Sequence, residues 1–169
     1  MSCFISAKKM ENSWNSLRKF GIPLASNQVR YSLLDRRIES NGVMDLAKKL
    51  GITIIAYSPL AQGLVTGKFH DNPGLLKNIG FRKYSSQFKP EGLEKSRPVV
   101  VLVKELALKY HVAPSQVALN WLIHYNGDTV VAIPGATKEI HAKENIGAMS
   151  FRLSDEDMVR LDNVSSVFR

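Results

Sequence analysis

Two stretches thirty residues apart have the same layout. Phe20-Gly21-Ile22-Pro23-Leu24-Ala25 and Leu50-Gly51-Ile52-Thr53-Ile54-Ile55 each read as a helix end, a glycine and the start of a strand. One strand plus one helix takes roughly 30 residues, so the spacing suits a repeating β/α architecture. A chance likeness between two common helix–strand junctions is the other reading. The second copy runs into Ile52-Thr53-Ile54-Ile55-Ala56, which reads as a parallel strand buried on both faces, and then into Tyr57-Ser58-Pro59-Leu60-Ala61-Gln62-Gly63. A polar turn at the C-terminal end of such a strand is where α/β proteins hold ligands.

Taken in order, residues 1–5 read as the stump of a strand. Ser6 is placed to cap a helix whose apolar face is Met10, Trp14, Leu17 and Phe20. A strand follows at 24–29, with Asn27 and Gln28 near its end. Residues 31–41 read as a connector carrying Asp35-Arg36-Arg37, and a short helix at 43–50 ends at Gly51 in a left-handed cap. Residues 61–97 read as one long irregular lid over a site. A helix is expected to start at Pro98 and another at Pro114. Then come a fully apolar strand at 129–133, a helix at 138–149, and a last helix from Ser154 with Asp157 completing a capping box. The strand tips at Gln28, Tyr57 and Ile133 are expected side by side.

Length sets a tension. The 169 residues make one domain, 1–169, whereas a complete eight-fold β/α barrel needs about 250. A single cysteine, Cys3, leaves no internal disulfide and suits a reducing cytoplasm. No apolar run reaches the roughly 18 residues of a membrane span, and no signal peptide precedes the first helix, so a cytoplasmic chain without a membrane partner is expected. Of the net charge of +8, half lies between Lys68 and Arg97, seven basic residues against three acidic. That segment is either a solvated loop or an attractor for an anionic ligand such as a phosphorylated cofactor. No basic helix or aromatic platform accompanies it, so nucleic acid is not the expected partner.

The four histidines have no metal-ligand spacing, so no metal is expected. The G-x-S-x-G elbow, the dinucleotide fingerprint and the G-x-x-x-x-G-K-[ST] loop are all absent. What remains is Gly135-Ala136-Thr137-Lys138, backbone N–H groups at a helix N-terminus with a hydroxyl and an ammonium, a combination that suits phosphate. An ordinary strand-to-helix turn is the alternative.

Ser26-Asn27-Gln28-Val29, Ile55-Ala56-Tyr57-Ser58-Pro59-Leu60-Ala61-Gln62-Gly63-Leu64, Gly67-Lys68, Ala118-Leu119-Asn120-Trp121-Leu122 and Ile133-Pro134-Gly135-Ala136, followed by Glu144-Asn145, resemble the aldo-keto reductases in order and over nearly the whole chain. The resemblance implies an α/β fold, the C-terminal half of a (β/α)8 TIM barrel with parallel strands, and a site for NADP(H). It gives Gln28 the nicotinamide carboxamide and Tyr57 the ring face. Ser58, Pro59, Leu60, Ala61 and Gln62 would line the pyrophosphate, under a loop carrying Lys68. Gly135 and Thr137 would meet the 2′-phosphate end, Glu144 and Asn145 the adenine, and His141 stands where Gln or Arg is usual. Cys3-Phe4 replaces a Ser-Asn or Ser-Arg pair. The family's catalytic Asp, Tyr, Lys and His fall in strands earlier than this chain covers, so no catalytic residue is assigned here. An oxidoreductase part inactive alone toward small carbonyl substrates is expected. It would pair with an N-terminal half-barrel or with itself, and a non-catalytic interaction protein or a gene remnant is the rival reading.

Overall fold

The computed structural model describes residues 6–169, so the readings of 1–5, including Cys3-Phe4, lie outside the described residues. Eleven elements matter here: α1 (Ala7–Arg18), β1 (Ser26–Arg30), α2 (Arg37–Ser40), α3 (Val43–Leu50), β2 (Thr53–Tyr57), α4 (Lys68–Asp71), α5 (Pro90–Lys109), α6 (Pro114–Tyr125), β3 (Val130–Ile133), α7 (Glu139–Gly147) and α8 (Asp155–Ser165). The three strands form one parallel sheet in the order β1-β2-β3. Alternation of strands and helices makes such a sheet, because a parallel neighbour needs a crossover and a helix supplies it.

β2 is not buried on both faces. Ile54 and Ala56 are buried while Thr53, Ile55 and Tyr57 are half-exposed, and β1 alternates in the same way. Helices α1, α3 and α6 pack on the buried side of the sheet. Asn27 on that side lends its amide to Met10 Sδ of α1 at 3.3 Å, and α3 and α6 pack on β2 and β3. Val29, Ile54, Ala56 and Val130 meet Met10, Val43, Ala47, Val117, Trp121 and Leu122 there in one core. A fully buried Val, Leu or Ile side chain stabilises by roughly 1.5–3 kcal/mol, so this layer holds the chain together. The opposite face carries Gln28, Arg30, Ile55, Tyr57, Val131 and Ile133, with Val131 50% and Ile133 44% exposed. An apolar strand is buried twice only when a second layer closes over it.

Several boundaries move. The first helix keeps only Met10 fully buried; Trp14 is half-buried beneath Arg18, and Phe20 is exposed. Ser6 is its N-cap but makes no side-chain cap bond. β1 begins at Ser26 and extends to Arg30, and Gly127–Thr129 is a 3-10 turn before β3. The connector 31–41 contains α2 and a buried Arg36.

The 61–97 stretch is not one irregular loop. It folds into 3-10 turns at Ala61–Gly63, Pro73–Asn78, Gly80–Tyr84 and Ser86–Phe88, plus the short α4. α5 starts at Pro90, eight residues before Pro98, which lies inside the helix. Proline there forfeits one backbone bond. Tertiary contact outweighs that loss: Ser96 is buried, and His70 Nε2 of α4 lies 3.0 Å from Ser96 Oγ and 3.2 Å from Leu93 O. Gly92 permits the contact between lid and helix, since a Cβ there would sit 2.3 Å from the Ser86 carbonyl oxygen. At Ser154 the expected capping box is half made. Ser154 Oγ accepts from the Asp157 N–H, whereas the Ser154 N–H donates to Tyr110 Oη.

Candidate active site

The site lies at the C-terminal ends of the strands. Tyr57 pairs with Ile133 on one side and with Arg30 on the other. Gln28 pairs with Ile55, two positions below Tyr57, so the three tips are not level as the sequence suggested. The offset is even, and side chains two apart point to one face. Gln28 and Tyr57 therefore rise from the same open side of the sheet, both half-exposed.

The turn after β2 is strained. Ser58 (φ 51), Ala61 (φ 47) and Gln62 (φ 58) are in the left-handed region without being glycine, and Gly63 follows at φ 88. Each such residue costs of the order of 1–2 kcal/mol, and strain of this kind gathers where function needs a particular backbone shape. The turn is held internally by Ala61 N–H to Ser58 O, Gly63 N–H to Leu60 O and Leu64 N–H to Ala61 O. Pro59 and Ala61 are buried; Ser58 and Leu60 are half-exposed, and Gln62 is exposed. A Cβ on Gly63 would fall 2.8 Å from Lys68 Nζ, so the glycine lets that ammonium lie against the turn. Lys68 Nζ also sits 4.9 Å from the centre of the Phe69 ring.

Gly135, Thr137 and Lys138 are exposed between β3 and α7, with Lys138 as the N-cap residue of that helix. His141, Glu144 and Asn145 follow on α7, all half-exposed. Glu144 is already engaged: Ser115 Oγ donates to its Oε2 at 3.1 Å. Asn145 lines an apolar groove of about 350 Å³ between α6, β3 and α7, beside the outer edge of β3. Among the described residues no three His, Cys, Asp or Glu side chains gather as a metal ligand set, and no helix is long and apolar enough to cross a membrane.

Just past the end of β1, against α6 and α8, is a buried network that sequence reading missed. Arg36 Nε and Nη2 donate to Glu39 at 2.8 and 2.6 Å, Nη2 also to Asp162 Oδ1 at 2.6 Å, and Nη1 to Ser165 Oγ at 2.7 Å. Its guanidinium lies over the Trp121 and Tyr125 rings. Tyr31 Oη donates to Glu39 Oε1 and accepts from the Asn126 amide. Burial and the neighbouring Glu39 carboxylate push the Tyr31 phenol far up, so it stays protonated. The only signal in the sequence was Asp35-Arg36-Arg37, whose charge pattern resembles a surface turn.

Comparison with known proteins agrees with the geometry. A family model described as "Aldo/keto reductase family" matches residues 3–166. A probable pyridoxal reductase of Schizosaccharomyces pombe is 34% identical over 140 residues, 81% of this chain and 42% of its own length. A probable aldo-keto reductase of Glycine max is 35% identical over 139 residues, 80% of this chain and 38% of its own length. A thermostable aldo-keto reductase crystallised with the inhibitor epalrestat superposes with a TM-score of 0.68 at 28% identity, covering 96% of this chain and 46% of that one. The chain thus spans about two-fifths of its relatives' length and corresponds to half of a (β/α)8 barrel. The parallel sheet, the helical layer on its buried side and these matches together show that the chain belongs to the aldo/keto reductase family.

Proposed function

We propose that this chain is the cofactor-holding half of an NADP(H)-dependent carbonyl reductase. The observation that carries the reading is the placement of Gln28 and Tyr57 on one open sheet face, with the strained Ser58–Gly63 turn directly beyond. A half-exposed phenol ring beside a primary amide suits a flat aromatic amide such as nicotinamide. Ser58, Pro59, Leu60, Ala61 and Gln62 supply the adjoining wall, Lys68 adds a cation, and Gly135, Thr137, His141, Glu144 and Asn145 form the far end. A bound dinucleotide would supply hydride. The chain's own residues orient and screen it; the acid that protonates the carbonyl oxygen comes from outside these 169 residues.

The open face implies a covering partner. Val131 and Ile133 are exposed beside the outer edge of β3, which pairs with no further strand among the described residues, and such an edge recruits another strand. A second β/α half bearing the acid–base residues would close the barrel and complete the site. The test is NADPH oxidation with a panel of aldehydes, first by this chain alone and then with the complementary half. No turnover alone and turnover with the second half support the proposal; robust turnover by the chain alone contradicts it. Self-association is the rival reading, favoured by the same exposed Val131 and Ile133. A stable dimer in sedimentation that excludes the complementary half would establish it.

A further inference from the structure

A cavity of about 530 Å³ lies between the end of β1, the lid and the C-terminal turn. It begins at Arg30, the register neighbour of Tyr57 on the same sheet face, and so continues the proposed nicotinamide surface sideways. Five cationic side chains line it, Arg30, Arg37, Lys89, Lys95 and Arg169, against the carboxylates of Asp35 and Glu91. Neighbours offset this charge at Arg30, Arg37 and Arg169 but not at Lys89 and Lys95. Asp35 is occupied by Arg37, which donates to both its oxygens at 2.8 Å, and Arg30 Nε lies 3.4 Å from it. Arg169 is paired with Glu39 and Asp162. Lys89 and Lys95 have no ion-pair partner among the described residues; Lys95 Nζ rests 4.8 Å from the Phe168 ring centre.

Two further features favour an anion. Lys89, Glu91 and Gly92 belong to the N-terminal turn of the twenty-residue α5, so the positive end of that helix forms one wall. Gln87, packed against Gly92 of that turn, adds to the wall and accepts from Arg30 Nη2 at 2.7 Å, and Ser85 and Ser86 line the cavity as well.

We infer that this cavity takes the anionic end, a carboxylate or a phosphate monoester, of the carbonyl compound whose carbonyl sits over the Gln28–Tyr57 face. The inference rests on the function proposed above for that face. It places an acidic tail about one strand away from the reacting carbonyl, in a wall built from β1, the lid and α5.

The test is a ¹⁵N-correlation NMR titration of the chain with glyceraldehyde 3-phosphate, with glyoxylate and with neutral glyceraldehyde. At least one anion is expected to shift the amides of Arg30, Gln87 and Lys95, and to bind at least tenfold more tightly than glyceraldehyde; which anion does so identifies the acidic group. The Lys89→Ala, Lys95→Ala double variant is expected to lose that tenfold advantage. The Lys89→Arg, Lys95→Arg variant is expected to keep it, since both side chains are exposed and only the charge is required. Equal binding of neutral and anionic probes, no binding of any, or loss in the Arg variant would overturn the inference. Displacement of the anion by NADP+ would also overturn it, because the cavity would then hold the dinucleotide's own phosphates. Anion binding with no response to NADP+ elsewhere would sink the cofactor reading while the charged cavity stands.

Discussion

Arg30 Nη2 donates to Gln87 Oε1 at 2.7 Å, joining the end of β1 to a lid residue 57 positions further along the chain. The bond fixes where the lid sits over the strand tips. Among the side-chain bonds described, it is the direct link between this sheet face and the Ser86–Phe88 turn.

Removing that link is expected to loosen the lid without unfolding the core. A charge-assisted bond of this partly exposed kind is worth about 1 kcal/mol, so amide exchange over 80–88 should quicken roughly fivefold in Arg30→Ala or Gln87→Ala. Exchange in β2 should not change. An unaltered lid would mean that other contacts hold it.

Gly92→Ala tests the lid from its other side. Its Cβ would meet the Ser86 carbonyl oxygen at 2.3 Å, so lid or helix must shift. Overpacking of this kind costs about 1–3 kcal/mol. Urea unfolding should report that loss; wild-type stability would show that the lid retreats freely.

Arg36 makes the sharpest stability prediction. Its guanidinium is fully buried between two carboxylates and two rings. Arg36→Met would leave Glu39 and Asp162 with only Arg169 as a cationic partner and should cost about 3 kcal/mol in urea unfolding, the low end for breaking a buried pair. Arg36→Lys should recover only part, since a single ammonium cannot reproduce the planar fork. Full recovery by lysine would show that charge alone matters.

Asp157 makes the fold acid-sensitive. Burial raises its pKa, but hydrogen bonds from Lys109, Tyr110 and Ser154 outweigh that and hold it at about 2. A depressed carboxyl pKa contributes stability above the unfolded value near 4, and that contribution fades as pH falls towards 2. With the exposed Lys109 screened by solvent, the contribution is about 1–2 kcal/mol. Asp157→Asn should flatten the stability profile between pH 4 and 2; an unchanged slope would assign the acid sensitivity elsewhere.

How much was legible follows from what each residue must do. The β/α repeat showed because Gly51 ends its helix at φ 65 and the apolar runs sit at the right spacing. The candidate turn showed because Tyr57 through Gly63 follows a strand. The early start of α5 did not show, since Gly92 and Pro98 are helix-breaking signals that only the packing of Ser96, Leu93 and His70 overrules. Nor did the left-handed Ser58, Ala61 and Gln62, which no residue type announces. The half-open state of β2 was hidden for another reason: Ile55 is apolar to suit a barrel interior, and three strands do not enclose one.

The account stands most directly on where NADPH lands. A ¹⁵N-correlation titration of the chain with NADPH should move the amides of Gln28, of Tyr57 through Gln62 and of Gly135 through Asn145, with Tyr57→Ala reducing all of them. Shifts that miss these strand tips, or no saturable shift at all, would contradict it.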